Sequence, residues 1–145
     1  MEDHGTVRIT KSGPVAGVLR RVGPVLAGLL TTVVLSVATD AFMHSSGVFP
    51  PLGQPMADGL FLLALAYRSG FGVAGGFVAG RLARRRPMRH VAVLGLVGLV
   101  LSALGTIATW DAGPEFGPKW YPLAVLITAF PTTWWGGLLA GRSRC

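Results

Sequence analysis

The chain has 145 residues, 51% of them hydrophobic and only 13% charged, with a formal net charge of +7. A soluble domain carries about a quarter charged residues, so most of this chain has no need to face water. The basic residues sit in short clusters between long apolar runs, which excludes the one-sided basic surface of a nucleic-acid-binding domain, and a lone cysteine, Cys145, excludes an internal disulfide framework.

At this length two ordinary domains do not fit, and the expectation is one compact membrane-embedded unit. Residues 1–12 read as a frayed polar tail. A first apolar segment follows at about 22–42, a second at 59–80, a third at 91–110 and a fourth at 120–141. Each has about twenty residues, the length a helix needs to cross about 30 Å of hydrocarbon. Lipid cannot satisfy exposed backbone N–H and C=O groups, so spanning segments are helices or closed barrels. The strands of a barrel alternate apolar and polar residues, and runs such as Val91-Ala92-Val93-Leu94-Gly95-Leu96-Val97 do not. The fold class expected is therefore an all-α membrane protein, four transmembrane helices in an antiparallel bundle.

The start of the first segment has a second reading. Arg20-Arg21, an apolar run and then Ser36-Val37-Ala38 form the pattern of a signal peptide with a small-residue cleavage site. The apolar character continues past that site through Ala41-Phe42-Met43, and a retained anchoring helix is the expectation.

The connections differ in charge. Arg8, Lys11, Arg20 and Arg21 precede the first segment; Arg81, Arg84, Arg85, Arg86 and Arg89 lie between the second and third; Arg142 and Arg144 end the chain. The other two connections, 43–58 and 111–119, hold Lys119 against Asp58, Asp111 and Glu115. Eleven basic residues thus fall on one side and one on the other, which by the positive-inside rule makes both termini and the arginine connection cytoplasmic. The outer connections carry Phe49-Pro50-Pro51 and Gly113-Pro114, which cannot continue a helix. Asp58 is a candidate cap for the second helix, and Trp110, Trp120 and Tyr121 fall where an outer aromatic belt belongs.

Three constellations stand out. The first is Arg68, nine residues into the second segment, roughly 13 Å of helix rise and so near the bilayer middle. A central arginine costs about 2.5–3.5 kcal/mol on insertion scales and takes a partner inside the bundle. Asp40 is the carboxylate within an apolar segment; its depth differs from that of Arg68 by about 10 Å for straight helices, a gap that arginine reach and helix tilt can close. His44 lies one turn beyond Asp40 on the same face, and Tyr67 and Ser69 flank the arginine. Asp40, His44 and Arg68 are thus a candidate intramembrane polar cluster, with three readings: a register-fixing pair, part of a solute or proton path, or an arginine that snorkels outward alone.

The second constellation is Gly72, Gly76 and Gly80, spaced by four so that they share one helical stripe and permit close approach. Gly75 and Ala79 widen it; Thr133, Gly137 and Gly141 on the fourth segment and Gly98 and Ser102 on the third are candidate counterparts. The motif serves packing within the chain or association with a second copy or another membrane protein. The third is the arginine connection Arg81, Arg84, Arg85, Arg86 and Arg89, which sets topology and attracts anionic headgroups at about 1 kcal/mol per residue, or docks a cytoplasmic partner. Pro131 is a candidate kink, and Trp134-Trp135 a candidate anchor. No enzyme signature, metal-ligand spacing, phosphate loop or dinucleotide fingerprint is present, and no cofactor or catalytic residue is expected.

The stretch Ala66-Tyr67-Arg68-Ser69-Gly70-Phe71-Gly72-Val73-Ala74-Gly75-Gly76-Phe77, with Arg81 to His90 after it, resembles small four-helix proteins of the bacterial inner membrane that carry no assigned activity. The similarity extends through Gly53-Gln54-Pro55-Met56 and Gly117-Pro118-Lys119-Trp120-Tyr121-Pro122, most of the chain. The resemblance implies a multi-pass protein of that membrane and brings no activity. Two functional expectations follow from the residues: a non-catalytic structural or accessory membrane protein, or an oligomeric small-solute or ion transporter or channel using Asp40, His44 and Arg68.

Overall fold

A computed structural model describes residues 13–143. Residues 1–12, Arg144 and Cys145 fall outside them, and with them the polar-tail reading. Four long helices make up the architecture: α1 (Pro14–Ser45), α2 (Asp58–Leu82), α3 (Pro87–Thr109) and α4 (Trp120–Arg142), with a short 3₁₀ turn at Pro114–Phe116 and no strand among the described residues. All four are long and apolar enough to cross a membrane.

The helices exceed the apolar segments, α1 most of all. It begins at Pro14 rather than near 22 and ends at Ser45 rather than 42. Hydropathy marks where a helix meets lipid; backbone hydrogen bonding continues through Arg20 and Arg21, and proline suits a first helical position because its missing N–H has no partner there anyway. At 32 residues the helix is about 48 Å long against about 30 Å of hydrocarbon. Asp58 does not cap α2: the cap position belongs to Ala57 and no side chain bonds there. Asp58 sits in the first turn, where its charge faces the positive end of the helix dipole.

Side-chain sizes are distributed inside out. The fully buried positions are mostly small, with Ala79, Ala83 and Ala140 at 1% exposure or less, and Val91 the largest such side chain. The large aliphatics point away from the bundle: Leu30 is 61% exposed, Ile107 75% and Ile127 70%. In water so extensive an apolar exterior would be an aggregation surface. In hydrocarbon it costs nothing, and small residues inside let helices approach closely enough for dispersion and hydrogen bonding to hold them.

The contacts order the helices. α2 packs most extensively against α4, then α3 against α4 and α1 against α2; α1 meets α3 only thinly. Along α2 and α4 the partners rise together: Gly72 lies against Thr132, Gly76 against Thr133, Gly80 against Gly137 and Ala140. Between α1 and α2 they run oppositely, Gly28 lying against Gly75 and Ala79, Thr32 against Phe71 and Asp40 against Arg68. Between α3 and α4 they also run oppositely, from Val91 at Gly137 to Thr106 at Pro122. One end of the bundle therefore gathers the arginine connection, the start of α1 and the end of α4; the other gathers the connections 46–57 and 110–119.

The glycine stripe is used inside the chain. A Cβ on Gly76 would fall on the Thr133 backbone and one on Gly136 on that of Val73 and Phe77, so α2 and α4 meet backbone to backbone. Gly137 faces Val91 of α3, with a Cβ only 2.6 Å from its Cγ1. Gly141 and Gly98, counterparts expected from spacing, face open space: a Cβ on either meets nothing within 4 Å. Arg81 donates from Nη1 to the Ser143 carbonyl at 3.0 Å and lies over the Phe77 ring, a cation at the negative end of α4. Arg84, Arg85, Arg86 and Arg89 are exposed, and Arg86 turns the chain into α3 in the left-handed region at φ 51°.

Candidate functional site

The site is built where α1 passes α2 at the end opposite the arginines. Asp40 lies five residues before the end of α1, Arg68 ten residues after the start of α2. Side chains on a helix lean toward its N-terminus; for Arg68 that direction is toward Asp40, and the long side chain spans the difference in depth. Its Nη2 donates to Asp40 Oδ2, while the Tyr67 hydroxyl donates to Oδ1. Both carboxylate oxygens are thus engaged by neighbours on one helix. The pair is only partly covered, with side-chain exposures of 38% for Arg68 and 28% for Asp40. Arg68 Nε is buried and has no hydrogen-bond partner.

Of the three residues expected to cluster, Asp40 and Arg68 come together and His44 does not. Its Nδ1 lies 2.8 Å from the Pro50 carbonyl and its ring meets the buried Phe49 edge-on, centroids 5.5 Å apart. The connection after α1 folds back on the helix end, with the Phe49 N–H donating to the Met43 carbonyl, and this takes His44 away from Asp40 despite their i,i+4 spacing. Tyr121, expected in the interfacial belt, turns inward instead: its ring packs on Phe61 at 4.9 Å and lines the same cavity as Asp40 and Arg68. Trp120 and Trp110 stay at the rim, Lys119 lying 4.9 Å from the Trp110 ring centroid.

That cavity is a cleft of about 520 Å³ between α1 on one side and α3 and α4 on the other, floored by α2. Asp40, Arg68, Tyr121 and Phe116 stand at one end, Leu29 and Leu94 at the other. Its walls carry many hydroxyls, but most threonines spend theirs on their own helix: Thr106, Thr128, Thr132 and Thr133 each donate at 2.8 Å to the carbonyl four residues back. Such threonines present mainly methyl groups to the cleft. Two are shared: Thr32 donates to Gly28 within α1 and to Phe71 across the interface at 3.1 Å, and Thr106 also reaches the Pro122 carbonyl of α4 at 3.3 Å.

A sequence signal for this site exists. Gly28, Thr32, Ser36 and Asp40 are spaced by four, a small-to-polar stripe on α1 that ends at the charge; Gly98, Ser102 and Thr106 repeat it on α3. Glycine spacing alone points to α2 and to Gly98 and Ser102, and misses Gly28, Gly136 and the α1 stripe that ends at Asp40.

Chemically, the cluster can hold two helices in register and offer hydrogen bonds to a molecule in the cleft. Asp40 is the carboxylate in its lining, and among the described residues no group of three or more His, Cys, Asp or Glu converges. Comparison with family models, with curated proteins and with solved structures gives no match.

Proposed function

We propose that this chain is a small non-catalytic integral membrane protein, a structural or accessory subunit, held together by the Asp40–Arg68 clasp. The observation that carries this reading is the engagement of Asp40 on both oxygens by Tyr67 and Arg68. A carboxylate so occupied fixes the register of α1 on α2, and leaving either charge unpartnered in a membrane is costly. The four spans, with Arg20, Arg21, Arg142 and the five arginines from Arg81 to Arg89 at one end among the described residues, support an antiparallel bundle with both termini and the arginine connection cytoplasmic. The resemblance to four-helix proteins of bacterial inner membranes supports that membrane as its location. Arg84, Arg85, Arg86 and Arg89 face anionic headgroups or a cytoplasmic partner. Because Gly72, Gly76, Gly80 and Gly137 are occupied within the chain, a homo-oligomer or membrane-protein partner would use other faces.

Topology is tested with the natural cysteine. An impermeant maleimide should reach Cys145 only after the cytoplasmic side is opened, and a Leu52→Cys substitution in a Cys145→Ser background should label from outside, Leu52 being 84% exposed. The reverse pattern would refute the orientation.

A second reading, an oligomeric small-solute or ion transporter, is favoured by the cleft beside the pair. It predicts an oligomer in mild detergent and loss of flux without loss of folding in Arg68→Leu; the structural reading predicts loss of folding.

A further inference from the structure

The cleft is open sideways. α1 and α3 touch only thinly, near Gly28 and Leu94, and beyond that point Val33 and Val37 on one wall and Leu101 and Gly105 on the other are exposed while lining the cavity. In the bundle proposed above, that gap faces hydrocarbon rather than water. From Leu29 to Asp40 it runs eleven residues of α1, about 16 Å, or half the hydrocarbon thickness. Its volume of about 520 Å³ lies within the roughly 300–1,000 Å³ of ligand sites.

The walls are apolar for most of this length and polar at one end. At that end Arg68 lines the cleft together with serines. Ser36, Ser69 and Ser102 line the cleft, and their hydroxyls make no hydrogen bond to the described residues, unlike the threonines beside them. Threonines bonded to backbone carbonyls stand beside three serines without such a bond, and those serines leave hydrogen-bonding capacity at one end of the cleft.

Charge and depth select the occupant. Arg68 is already neutralised by Asp40, so a further charge would be buried without a counter-ion at large cost. Asp40 also lies within the apolar segment that ends at about residue 42, on the hydrocarbon side of the layer where the charged head of a phospholipid sits. We propose that the cleft binds one molecule of an uncharged single-chain amphiphile, its ester- or hydroxyl-bearing head among Arg68, Ser36, Ser69 and Ser102 and its chain directed toward Leu29 and Leu94. The proposal rests on the membrane-bundle reading, and extraction of the protein from membranes by alkaline carbonate would defeat that reading before this one is addressed.

The test uses the full chain in lipid nanodiscs and a monoacylglycerol carrying a diazirine at the end of its chain. The expected result is saturable photolabelling of one molecule per chain, mapped by mass spectrometry to the walls near Leu29, Val33 and Gly98. Unlabelled monoacylglycerol should compete, and a carboxylate or quaternary ammonium of equal chain length should compete about tenfold more weakly, the consequence of burying its charge. Gly98→Leu supplies the blocking variant: Gly98 lines the cleft and a Cβ there meets nothing within 4 Å, so the side chain starts in open cleft space. It should abolish saturable labelling at an unchanged melting temperature. Labelling spread evenly over the lipid-facing helices, equal competition by all three amphiphiles, or undiminished saturable labelling in Gly98→Leu would overturn the proposal.

Discussion

The two sides of α2 are held by different means. Toward α4, Gly76 and Gly136 bring the backbones into direct contact, and the interface leaves no room for a methyl group. Toward α1, contact is equally close at Gly28, Thr32 and Gly75; past Thr32, α1 stands off α3 and is joined to α2 by the Asp40–Tyr67–Arg68 cluster at the edge of a cleft. Where hydrocarbon surrounds a protein, burial of apolar surface cannot drive helices together. One side therefore relies on shape, the other on charge and hydrogen bonds, and the second leaves space that the first does not.

This contrast is broken most severely on the shape side. Gly76→Val places its Cβ on the Thr133 backbone, and overpacking that only helix movement can relieve should cost about 3 kcal/mol or more, read as loss of folded protein in detergent unfolding curves. On the polar side Tyr67→Phe removes a donor to Asp40 Oδ1 and keeps the ring against Phe71; a loss of about 1 kcal/mol is expected from the same curves. Thr32→Val deletes the interhelical bond to Phe71 and should cost about 0.6 kcal/mol, the average for such bonds in membranes. Gly141→Ala sharpens the comparison by contrast. It belongs to the same sequence spacing as Gly137 but faces open space, so it should leave unfolding unchanged within about 0.5 kcal/mol.

The four helices were legible because spanning a membrane imposes length and apolarity on a sequence directly. Pairing Asp40 with Arg68 was legible for a related reason: two opposite charges inside apolar runs have few alternatives to each other. Less legible was everything set by backbone direction outside the helices. His44 sits correctly by helical spacing to join Asp40, but the turn through Gly47, at φ 75°, carries Phe49 and Pro50 over it and claims its ring nitrogen. Tyr121 reads as a belt residue beside Trp120, yet Gly117 lets the preceding loop lie on Phe61 and turns the tyrosine inward. Spacing placed Gly141 on the packed stripe, whereas a series spaced by four drifts around a helix of 3.6 residues per turn, and it is Ala140 that lies against Gly80. The cleft itself is a property of where α1 and α3 fail to meet, and no local pattern encodes an absence of contact.

The central claim is that Asp40 clasps Arg68 to fix α1 on α2. Its most direct test is the unfolding of wild type, Arg68→Leu, Asp40→Leu and the double variant in one mild detergent. Each single change strands a charge and should cost about 2–3 kcal/mol, less than the 3–5 of a fully buried pair because both side chains are partly exposed; the double variant should return to within about 1 kcal/mol of wild type. Four coincident curves, or single losses that simply add in the double variant, would contradict the clasp.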